Sequence, residues 1–145
     1  MKLRIAWIGR TKEPSINSLT AEYLKRISRY APVESAELGS EEALLKQLSS
    51  GRTPPQLVLL DFRGKQLTSE EFAGFLGHHQ NRGTQALLFA IGPADGFTDA
   101  ARNAAHITLS LGKMTLAHEL ARVVLLEQLY RALTILKGHP YHAGH

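Results

Sequence analysis

The stretch LSLGKMTLAHELARVVLLEQLYRA, Leu109–Ala132, contains the end of a strand, a loop and most of a long helix. The short run His106–Leu111 is bounded by turn residues and predicts the strand. The loop covers Leu111–Leu116, and the helix is predicted from about Leu116 to Lys137. The segment HPYH follows at His139–His142. A strand that leads through a loop into a covering helix is typical of α/β proteins.

The apolar side chains of the predicted long helix do not keep to one stripe. Between Val123 and Leu136 they cover most of the circumference, and such a helix must be buried on nearly all sides. One face can pack on a sheet, but a domain of this size leaves the other face without cover. We therefore expect a homodimer in which Leu129 faces the second subunit.

The chain before this segment alternates between short strand-like runs and longer helical patterns. Thr68 with Glu71 has the pattern of a capping box, and Thr98 is suited to cap a short helix. Strands separated by helices cannot pair as tight hairpins, so we expect an α/β fold with a largely parallel sheet and helices on both faces. The third and fourth strands, LVLLDF and ALLFAI, are apolar runs that should be covered on both faces. The five predicted strands are Leu3–Ile8, Val33–Leu38, Leu57–Phe62, Gln85–Ile91 and His106–Leu111.

The composition favours one basic domain of ordinary globular type. The chain has 145 residues, enough for one hydrophobic core and a single domain over residues 1–145, and 43% of them are hydrophobic. The absence of cysteine leaves out disulfides and thiolate metal sites. The longest apolar run, Ala86–Ile91, is far too short to cross a membrane. A net charge of +4 raises the chance of a polyanionic partner, although a merely soluble basic protein fits the charge equally well.

Two loops at predicted strand ends have features of a ligand site. FAIGPADG, Phe89–Gly96, follows the fourth strand, and its glycines permit a ligand to approach the backbone closely. The loop Leu111–Leu116 supplies a glycine, an apolar methionine and several backbone polar groups, which together suit a nucleobase. Taken singly, each stretch is explained at least as well by a simple turn.

Several motifs, in their order along the chain, resemble one family over residues 1–142. The start LRIAWIGRTKE, the first-helix motif EYLKRIS, the two stretches LDFRGK and FAIGPADG, the long C-terminal segment and HPYH all match it. The family is that of the SPOUT-superfamily enzymes that methylate N3 of a pseudouridine in bacterial 23S ribosomal RNA. The resemblance implies S-adenosylmethionine as methyl donor, a C-terminal trefoil knot, a homodimer and a cytoplasmic location. It also implies action on 23S rRNA within the large subunit or the whole ribosome, with no membrane and no metal.

The resemblance also assigns residues to a cofactor site. In this family the loops of the knot hold S-adenosylmethionine in a bent shape. Carried over by position, the cofactor-binding residues are Leu60, Gly92, Pro93, Leu111, Gly112, Lys113, Met114, Thr115 and Leu116.

The implied reaction transfers a methyl group from a sulfonium to an imide nitrogen that carries a proton. A base must remove that proton, or a cationic environment must favour the imidate, and the nitrogen, methyl and sulfur must be aligned. We expect His118, Arg131, Tyr141 and His142 to do this, with Tyr141 stacking on a flipped base and His142 as a polar contact or the base. The resemblance implies that the tail of one subunit closes over the cofactor of the other.

Simpler roles stay open for two of these residues. Glu127 and Arg131 lie four positions apart on a helix, which favours a surface or interface ion pair. His118 at the helix start is explained equally well by a solvated side chain.

Three departures from the family pattern leave a second function open. This chain has Pro93 where the family usually has a second glycine, Ala117 where it usually has proline, and a shortened segment Gly39–Gln47. Proline lacks an N–H that a ligand can use. The alternative is therefore a non-catalytic ribosome-binding protein with a degenerate cofactor site. A flavodoxin-like or nucleotide-binding domain is disfavoured, because Gly9–Glu13 is too poor in glycine for a nucleotide phosphate loop.

Overall fold

The computed structural model describes residues 1–144, and within them five strands form one sheet. These are β1 Lys2–Ile8, β2 Val33–Leu38, β3 Gln56–Gln66, β4 Ala86–Ile91 and β5 Ile107–Ser110. Their order across the sheet is β2-β1-β4-β3-β5, and every neighbouring pair is parallel. The predicted parallel sheet is confirmed, and most predicted strand ends agree with it to within one residue.

Helices cover both faces of the sheet, as expected for strands joined by crossovers. They are α1 Pro14–Ser28, α2 Glu41–Ser49, α3 Ser69–Asn81, α4 Asp99–Ala104 and α5 His118–Leu136. On one face α5 packs between α1 and α3, and on the other α2 and α4 pack together around Leu44 and Ala101. None of the helices in residues 1–144 has the length and apolar character that a membrane span needs.

Local signals explain where α2 and α3 begin. The capping box is present: Thr68 Oγ1 accepts from the Glu71 N–H at 3.0 Å, and the Glu71 carboxylate accepts from the Thr68 N–H at 2.8 Å. Ser40 caps α2, its hydroxyl accepting a first-turn N–H at 3.2 Å. The prediction that the Thr98 side chain caps α4 is wrong. Thr98 occupies the N-cap position, but its hydroxyl and its N–H both donate to Glu41 on α2.

β3 is longer than predicted and makes a detour past β5. Leu109 pairs with Leu60 and again with Lys65, so residues 61–64 lie outside the ladder. Gly64 lies in this detour, and a Cβ built on it would stand 2.6 Å from the carbonyl carbon of Leu109. Only glycine permits two backbones to approach so closely. The trefoil knot stays a prediction, and this close crossing is compatible with it.

The prediction that the third strand is covered on both faces along its whole length is wrong for its last residues, which lie in the detour. Leu57 and Leu59 are fully buried, but Phe62 is 61% exposed. Phe62 belongs to the segment that leaves the ladder, and its ring lies 5.5 Å from the guanidinium carbon of Arg63. The end of the third predicted strand is therefore a surface feature.

α5 obtains most of its cover within one chain. Leu125, Leu126, Leu129, Ala132 and Leu133 are each no more than 2% exposed. They pack against the sheet beneath, with α1 along one side and α3 along the other. The expectation that Leu129 faces a second subunit is wrong, because three neighbours rather than one surround this helix.

One large apolar side chain of α1, which packs beside α5, nevertheless stays exposed. The two helices run in the same direction: the Lys12 N–H donates to Glu119 at 2.8 Å near their starts, and the Tyr23 and Tyr130 ring centroids lie 6.3 Å apart further along. Leu19 lies on α1 between these contacts and is 43% exposed. The uncovered apolar surface thus lies beside the first half of α5.

A histidine is buried beside the N-terminal ends of β4 and β5. His79 is 1% exposed, its Nδ1 lies 2.8 Å from Thr84 Oγ1, and its ring centroid lies 4.8 Å from that of Phe75 and 5.2 Å from that of His106. Burial lowers the pKa of His79, and the positive charges of His106 and Arg82 act in the same direction. The folded protein therefore keeps His79 neutral.

Neutral His79 predicts a loss of stability in mild acid. Because its folded pKa lies below its unfolded value of about 6.5, the unfolded chain binds this proton more readily. Stability should therefore fall as the pH drops through about 6.5, by up to about 1.4 kcal/mol per pH unit. We expect His79→Asn to flatten this fall, since asparagine still bonds Thr84 without titrating. Thermal melts across this range test it, with exposed His78→Asn as control; parallel profiles for wild type and His79→Asn would contradict the prediction.

Candidate functional site

A cavity of about 520 Å³ opens at the carboxyl ends of β3, β4 and β5. Its walls are the loops that follow these strands and the start of α5. Open parallel sheets bind ligands at this edge, where the loops vary around fixed strand ends. Lys113 is exposed and is not a wall residue. The other predicted cofactor residues all line the cavity: Leu60, Gly92, Pro93, Leu111, Gly112, Met114, Thr115 and Leu116.

Two glycines shape this cavity for different reasons. Gly112 has a φ of +146°, and a Cβ built there meets nothing within 4 Å, so the backbone conformation alone demands glycine. The Ser110 hydroxyl donates to the Gly112 carbonyl at 2.7 Å and accepts from the Gly112 N–H at 3.1 Å, which fixes the turn. Gly92 leaves room for the Phe97 ring, since a Cβ there would lie 3.0 Å from it and the ring would have to shift by a few tenths of an ångström.

The two single-residue departures from the family pattern fit the backbone at this site. Pro93 lies in the wall, and its carbonyl accepts from the Gly96 N–H at 2.9 Å to close the turn. The turn is therefore closed through the Pro93 carbonyl. Ala117 precedes α5 with a φ of −55°, close to the value that proline imposes. The cavity is formed in spite of both substitutions.

Asp61 is a wall residue that sequence reasoning did not single out. Its side chain is 4% exposed and lies 3.5 Å from Arg63 Nε and 3.4 Å from Arg102 Nη1. Burial acts to raise the pKa of Asp61, but the N–H and guanidinium of Arg63 and the charge of Arg102 outweigh it and lower the pKa below its usual value. The cavity thus contains an ionised carboxylate. The motif LDFRGK could have indicated Asp61, because an acidic residue there directly follows an apolar run that predicts a buried strand.

His118 is the predicted catalytic residue that lies in this cavity. It begins α5, is half-buried and lines the wall. Its Nε2 lies 3.9 Å from the position that a Cβ on Gly9 would occupy. The loop after β1 therefore lies near the edge of the cavity, and the cavity wall shields part of the His118 side chain from solvent.

A smaller cavity of about 170 Å³ adjoins the larger one. Leu60, Ser110 and Leu111 form walls of both. Ser69 and Gln128 line the smaller cavity too, and the Ser69 hydroxyl donates to Gln128 Oε1 at 2.7 Å. The open space thus extends from the strand ends toward the middle of α5.

The other three predicted catalytic residues lie together on α5 and the tail. Arg131 donates to Glu127 Oε1 through Nε at 3.0 Å and Nη2 at 2.7 Å, so the predicted ion pair is confirmed. The Tyr141 hydroxyl donates to the same oxygen at 3.0 Å. His142 Nδ1 lies 2.9 Å from Arg131 Nη1, and Nε2 lies 2.7 Å from Glu70 Oε1. The tail therefore folds back onto α5 and α3 of its own chain.

Both ring nitrogens of His142 are engaged in this arrangement. Because an arginine can only donate, Nδ1 accepts from Arg131, and the proton on Nε2 is donated to Glu70. Neutral His142 has no lone pair left for a substrate proton until it parts from Arg131. Burial, reinforced by the bond to Glu127, raises the pKa of Tyr141 to about 12. Its hydroxyl therefore stays protonated at neutral pH.

One chain does not bring the four predicted catalytic residues to one place. Glu127, at the centre of the tail cluster, lies nine positions after His118, which is about 13.5 Å along a helix. His118 belongs to the cavity, and Arg131, Tyr141 and His142 belong to the tail cluster. No group of three or more histidine, cysteine or acidic side chains that could hold a metal occurs in residues 1–144.

A doubly covered parallel sheet with a glycine-bounded cavity at its carboxyl edge is the architecture of a nucleotide-type ligand-binding enzyme. Residues 1–142 match the model of the family described as "Predicted SPOUT methyltransferase", and the chain belongs to that family. Within it the chain is similar to proteins named ribosomal RNA large subunit methyltransferase H. The one from Koribacter versatilis is 64% identical, with 100% of both chains covered. That from Geobacter sp. (strain M21) is 45% identical, covering 98% of this chain and 99% of its own.

Solved structures agree with this family at the level of the fold. A probable methylase family protein from Haemophilus influenzae has a TM-score of 0.62 at 13% identity, covering 96% of this chain and 69% of that one. The SpoU methyltransferase AviRb from Streptomyces viridochromogenes, in complex with AdoMet, has a TM-score of 0.52 at 14% identity. It covers 95% of this chain and 61% of that one.

Proposed function

We propose that this protein transfers a methyl group from S-adenosylmethionine to N3 of a pseudouridine in bacterial 23S ribosomal RNA. The observation that carries the proposal is the cavity at the carboxyl ends of β3, β4 and β5, walled by the loops that match the family's cofactor loops. The full-length relatives support it, since their name gives large-subunit ribosomal RNA as the substrate. The proposed substrate is the large subunit or the whole ribosome in the cytoplasm.

The cavity has the properties that S-adenosylmethionine requires. Leu111, Met114 and Leu116 offer apolar surface for an adenine ring, and Gly112 leaves open space beside the backbone. The ionised Asp61 lies in the same wall, where Arg63 and Arg102 pair with its two oxygens. When bound, S-adenosylmethionine supplies an electrophilic methyl group. Lys113 at the exposed rim is the predicted cofactor residue with the least support.

Side chains of the protein must hold the target nucleobase and remove the proton from its N3. We assign His142 as the general base. Glu70 accepts from the Nε2–H of His142, and Nδ1 of His142 accepts the N3 proton of the pseudouridine once Arg131 has moved away from Nδ1. Arg131 then stabilises the negative charge of the imidate. Protonated Tyr141 offers an aromatic face for stacking, and His118 is a polar contact in the cavity wall.

A homodimer would bring the cavity of one subunit together with the tail of the other. Leu116 is 43% exposed and Leu120 is 53% exposed, and together with Leu19 they give the α1–α5 side an apolar surface of the kind that interfaces cover. Antiparallel packing of two α5 helices about the level of Val124 would place Arg131 of one chain beside the partner's His118. The proposed active site is therefore shared between two subunits.

We expect Leu120→Asp to convert the dimer into a folded monomer. Leu120 is exposed in the single chain, so the charge costs little until a second subunit buries it. Light scattering at micromolar concentration measures the mass, and circular dichroism checks the fold. Lys46→Asp, at an exposed position of α2 on the other face of the sheet, is the control and should stay dimeric. A wild-type protein that is monomeric under these conditions would remove the shared site from the proposal.

The reaction itself is tested with purified protein, S-adenosylmethionine and ribosomes from cells that lack this protein. Mass spectrometry of the digested 23S rRNA should find one methyl group on a pseudouridine. Calorimetry with S-adenosylmethionine separates this function from the non-catalytic alternative, which predicts no heat of binding. Ribosome binding without cofactor binding or methylation would replace the enzyme by that alternative.

A further inference from the structure

We propose that the loop between β1 and α1, Gly9–Glu13, binds backbone phosphates of the RNA beside the cavity, through the side chains of Arg10 and Lys12. The inference rests on the proposed function, because it takes the RNA to be the ligand that reaches this edge of the sheet. It adds a binding element outside the cofactor loops and the tail.

Two carboxylates from different elements fix the backbone of this loop. Glu37, at the end of β2, accepts from the Thr11 N–H at 2.9 Å and the Thr11 hydroxyl at 3.1 Å. Glu119, on α5, accepts from the Lys12 N–H at 2.8 Å and the Glu13 N–H at 3.3 Å. These bonds lower the pKa values of Glu37 and Glu119, with the N–H of Thr11 and that of Lys12 as the largest influences. Both carboxylates are thus ionised and committed to the loop.

A buried arginine supports the same loop from beneath. Arg122 is 0% exposed, its Nη1 donates to Thr11 Oγ1 at 2.7 Å, and its guanidinium carbon lies 3.7 Å from the Trp7 ring centroid. Its Nε and Nη2 have no hydrogen-bond partner in residues 1–144. Burial lowers the pKa of Arg122, although the charges of Glu119 and Glu37 oppose this. A costly buried cation that contacts Thr11 indicates that the loop geometry matters, and makes Arg122 a positioning residue.

The cations of the loop stay available. Arg10 and Lys12 are exposed, and neither forms an ion pair in residues 1–144. Glu37 and Glu119 accept from backbone and hydroxyl groups of the loop instead, and the exposed Glu13 within the loop forms no ion pair with either cation in residues 1–144. Two side-chain cations on a fixed backbone suit phosphodiester oxygens, whose neutralisation dominates the affinity of proteins for nucleic acids.

The position of the loop matches the path that a substrate strand must take. A Cβ built on Gly9 would lie 3.9 Å from Nε2 of His118, which lines the cavity, so the loop that carries Arg10 and Lys12 begins near the cavity edge. An RNA that brings one base to the cofactor at the mouth of the cavity carries its neighbouring phosphates across this rim. The loop therefore holds the strand while the base occupies the site.

The experiment compares two double variants with the same change in charge. Arg10→Gln/Lys12→Gln removes the loop cations. Lys46→Gln/Arg52→Gln removes two exposed cations without ion pairs, one on α2 and one in the loop before β3, away from the cavity. For each, the affinity for purified ribosomes is measured against salt concentration, together with kcat, KM and S-adenosylmethionine binding.

We expect the loop variant to bind ribosomes on the order of tenfold more weakly and to lose about two units of salt slope, one for each phosphate contact. KM for ribosomes should rise more than kcat falls, and S-adenosylmethionine binding should not change. The control should behave as wild type. Equal salt slopes for the two double variants would overturn the proposal. Wild type that binds ribosomes but transfers no methyl group would refute the proposed function alone, since the binding comparison needs no catalysis.

A second pair of variants tests the positioning. Thr11→Val keeps both cations but removes the hydroxyl that joins Glu37 to Arg122. We expect a severalfold loss of ribosome affinity at an unchanged salt slope, and recovery in Thr11→Ser. Wild-type affinity in Thr11→Val would show that Arg122 and Glu37 do not position the loop.

Discussion

Removal of Gly138–His145 is expected to lower methyl transfer to ribosomes by at least about a hundredfold, the usual contribution of a positioned acid–base group. S-adenosylmethionine binding should fall much less, because the cavity walls contain no tail residue. The loss should lie in kcat, as expected for groups that act mainly in the transition state. Single-turnover methylation and calorimetry on the same preparation measure the two effects.

The truncated protein should keep its fold. The tail packs on the surface of the domain, where Tyr141 lies against Tyr130 with ring centroids 4.8 Å apart, and contributes no strand. His142→Gln is a gentler variant that leaves the tail in place and should reproduce most of the loss. A truncated enzyme with wild-type kcat would refute any catalytic role for His142 and Tyr141.

A mixed dimer distinguishes a shared site from a site within one chain. One subunit lacks Gly138–His145 and has an intact cavity, and the other carries Gly112→Val and has an intact tail. In a shared site the intact tail meets the intact cavity across the interface, so part of the activity should return. In a site within one chain both subunits are inactive. A confirmed heterodimer without activity would refute the shared site and leave the methyltransferase proposal in place.

Gly112→Val is expected to abolish the rise in melting temperature that S-adenosylmethionine produces. Ligand at about 100 times its Kd stabilises a protein by about 2.7 kcal/mol, so the wild-type shift is easily measured. The valine side chain would enter space that is open in the cavity, and the φ of +146° disfavours any residue with a Cβ. Both effects act on the cofactor loop.

The backbone strain needs its own control. Gly83 also has a positive φ, +76°, and its Cβ position has nothing within 4 Å, but it follows α3 at the opposite edge of the sheet. Gly83→Val should therefore lower the melting temperature while the ligand-induced rise stays as in wild type. An undiminished rise in Gly112→Val would refute this location for the cofactor.

The parts of the site that local sequence determines could be predicted. Gly92 and Gly112 stand at the ends of apolar runs, and strand ends of a parallel sheet meet at one edge, so the cavity follows from a one-dimensional pattern. The capping box at Thr68 is equally local. Lys113 is the exception among the cofactor residues, because a loop residue between two wall residues need not face the same way.

Features that depend on distant contacts could not be predicted. The pattern of α5 correctly indicates burial, but it does not tell whether α1, α3 or a second subunit covers Leu129. Arg122 has a charged side chain, and only the placement of Trp7 and Thr11 around it reveals that it is buried. The engagement of both nitrogens of His142 likewise depends on Glu70, which is 72 positions away in the sequence.

Synthesis from the N-terminus makes β5 and α5 the last elements that can join the fold. In residues 1–144, β5 pairs with no strand except β3, and it does so on both sides of the detour that contains Gly64. Residues 1–91, which contain the other four strands, therefore leave the ribosome before α5 can cover one face of the sheet. Until the last quarter of the chain emerges, Leu87 and Phe89 of β4 lack the cover of α5, so the nascent protein should need a chaperone that shields an apolar sheet. Cofactor-binding capacity is thus acquired only at the end of translation.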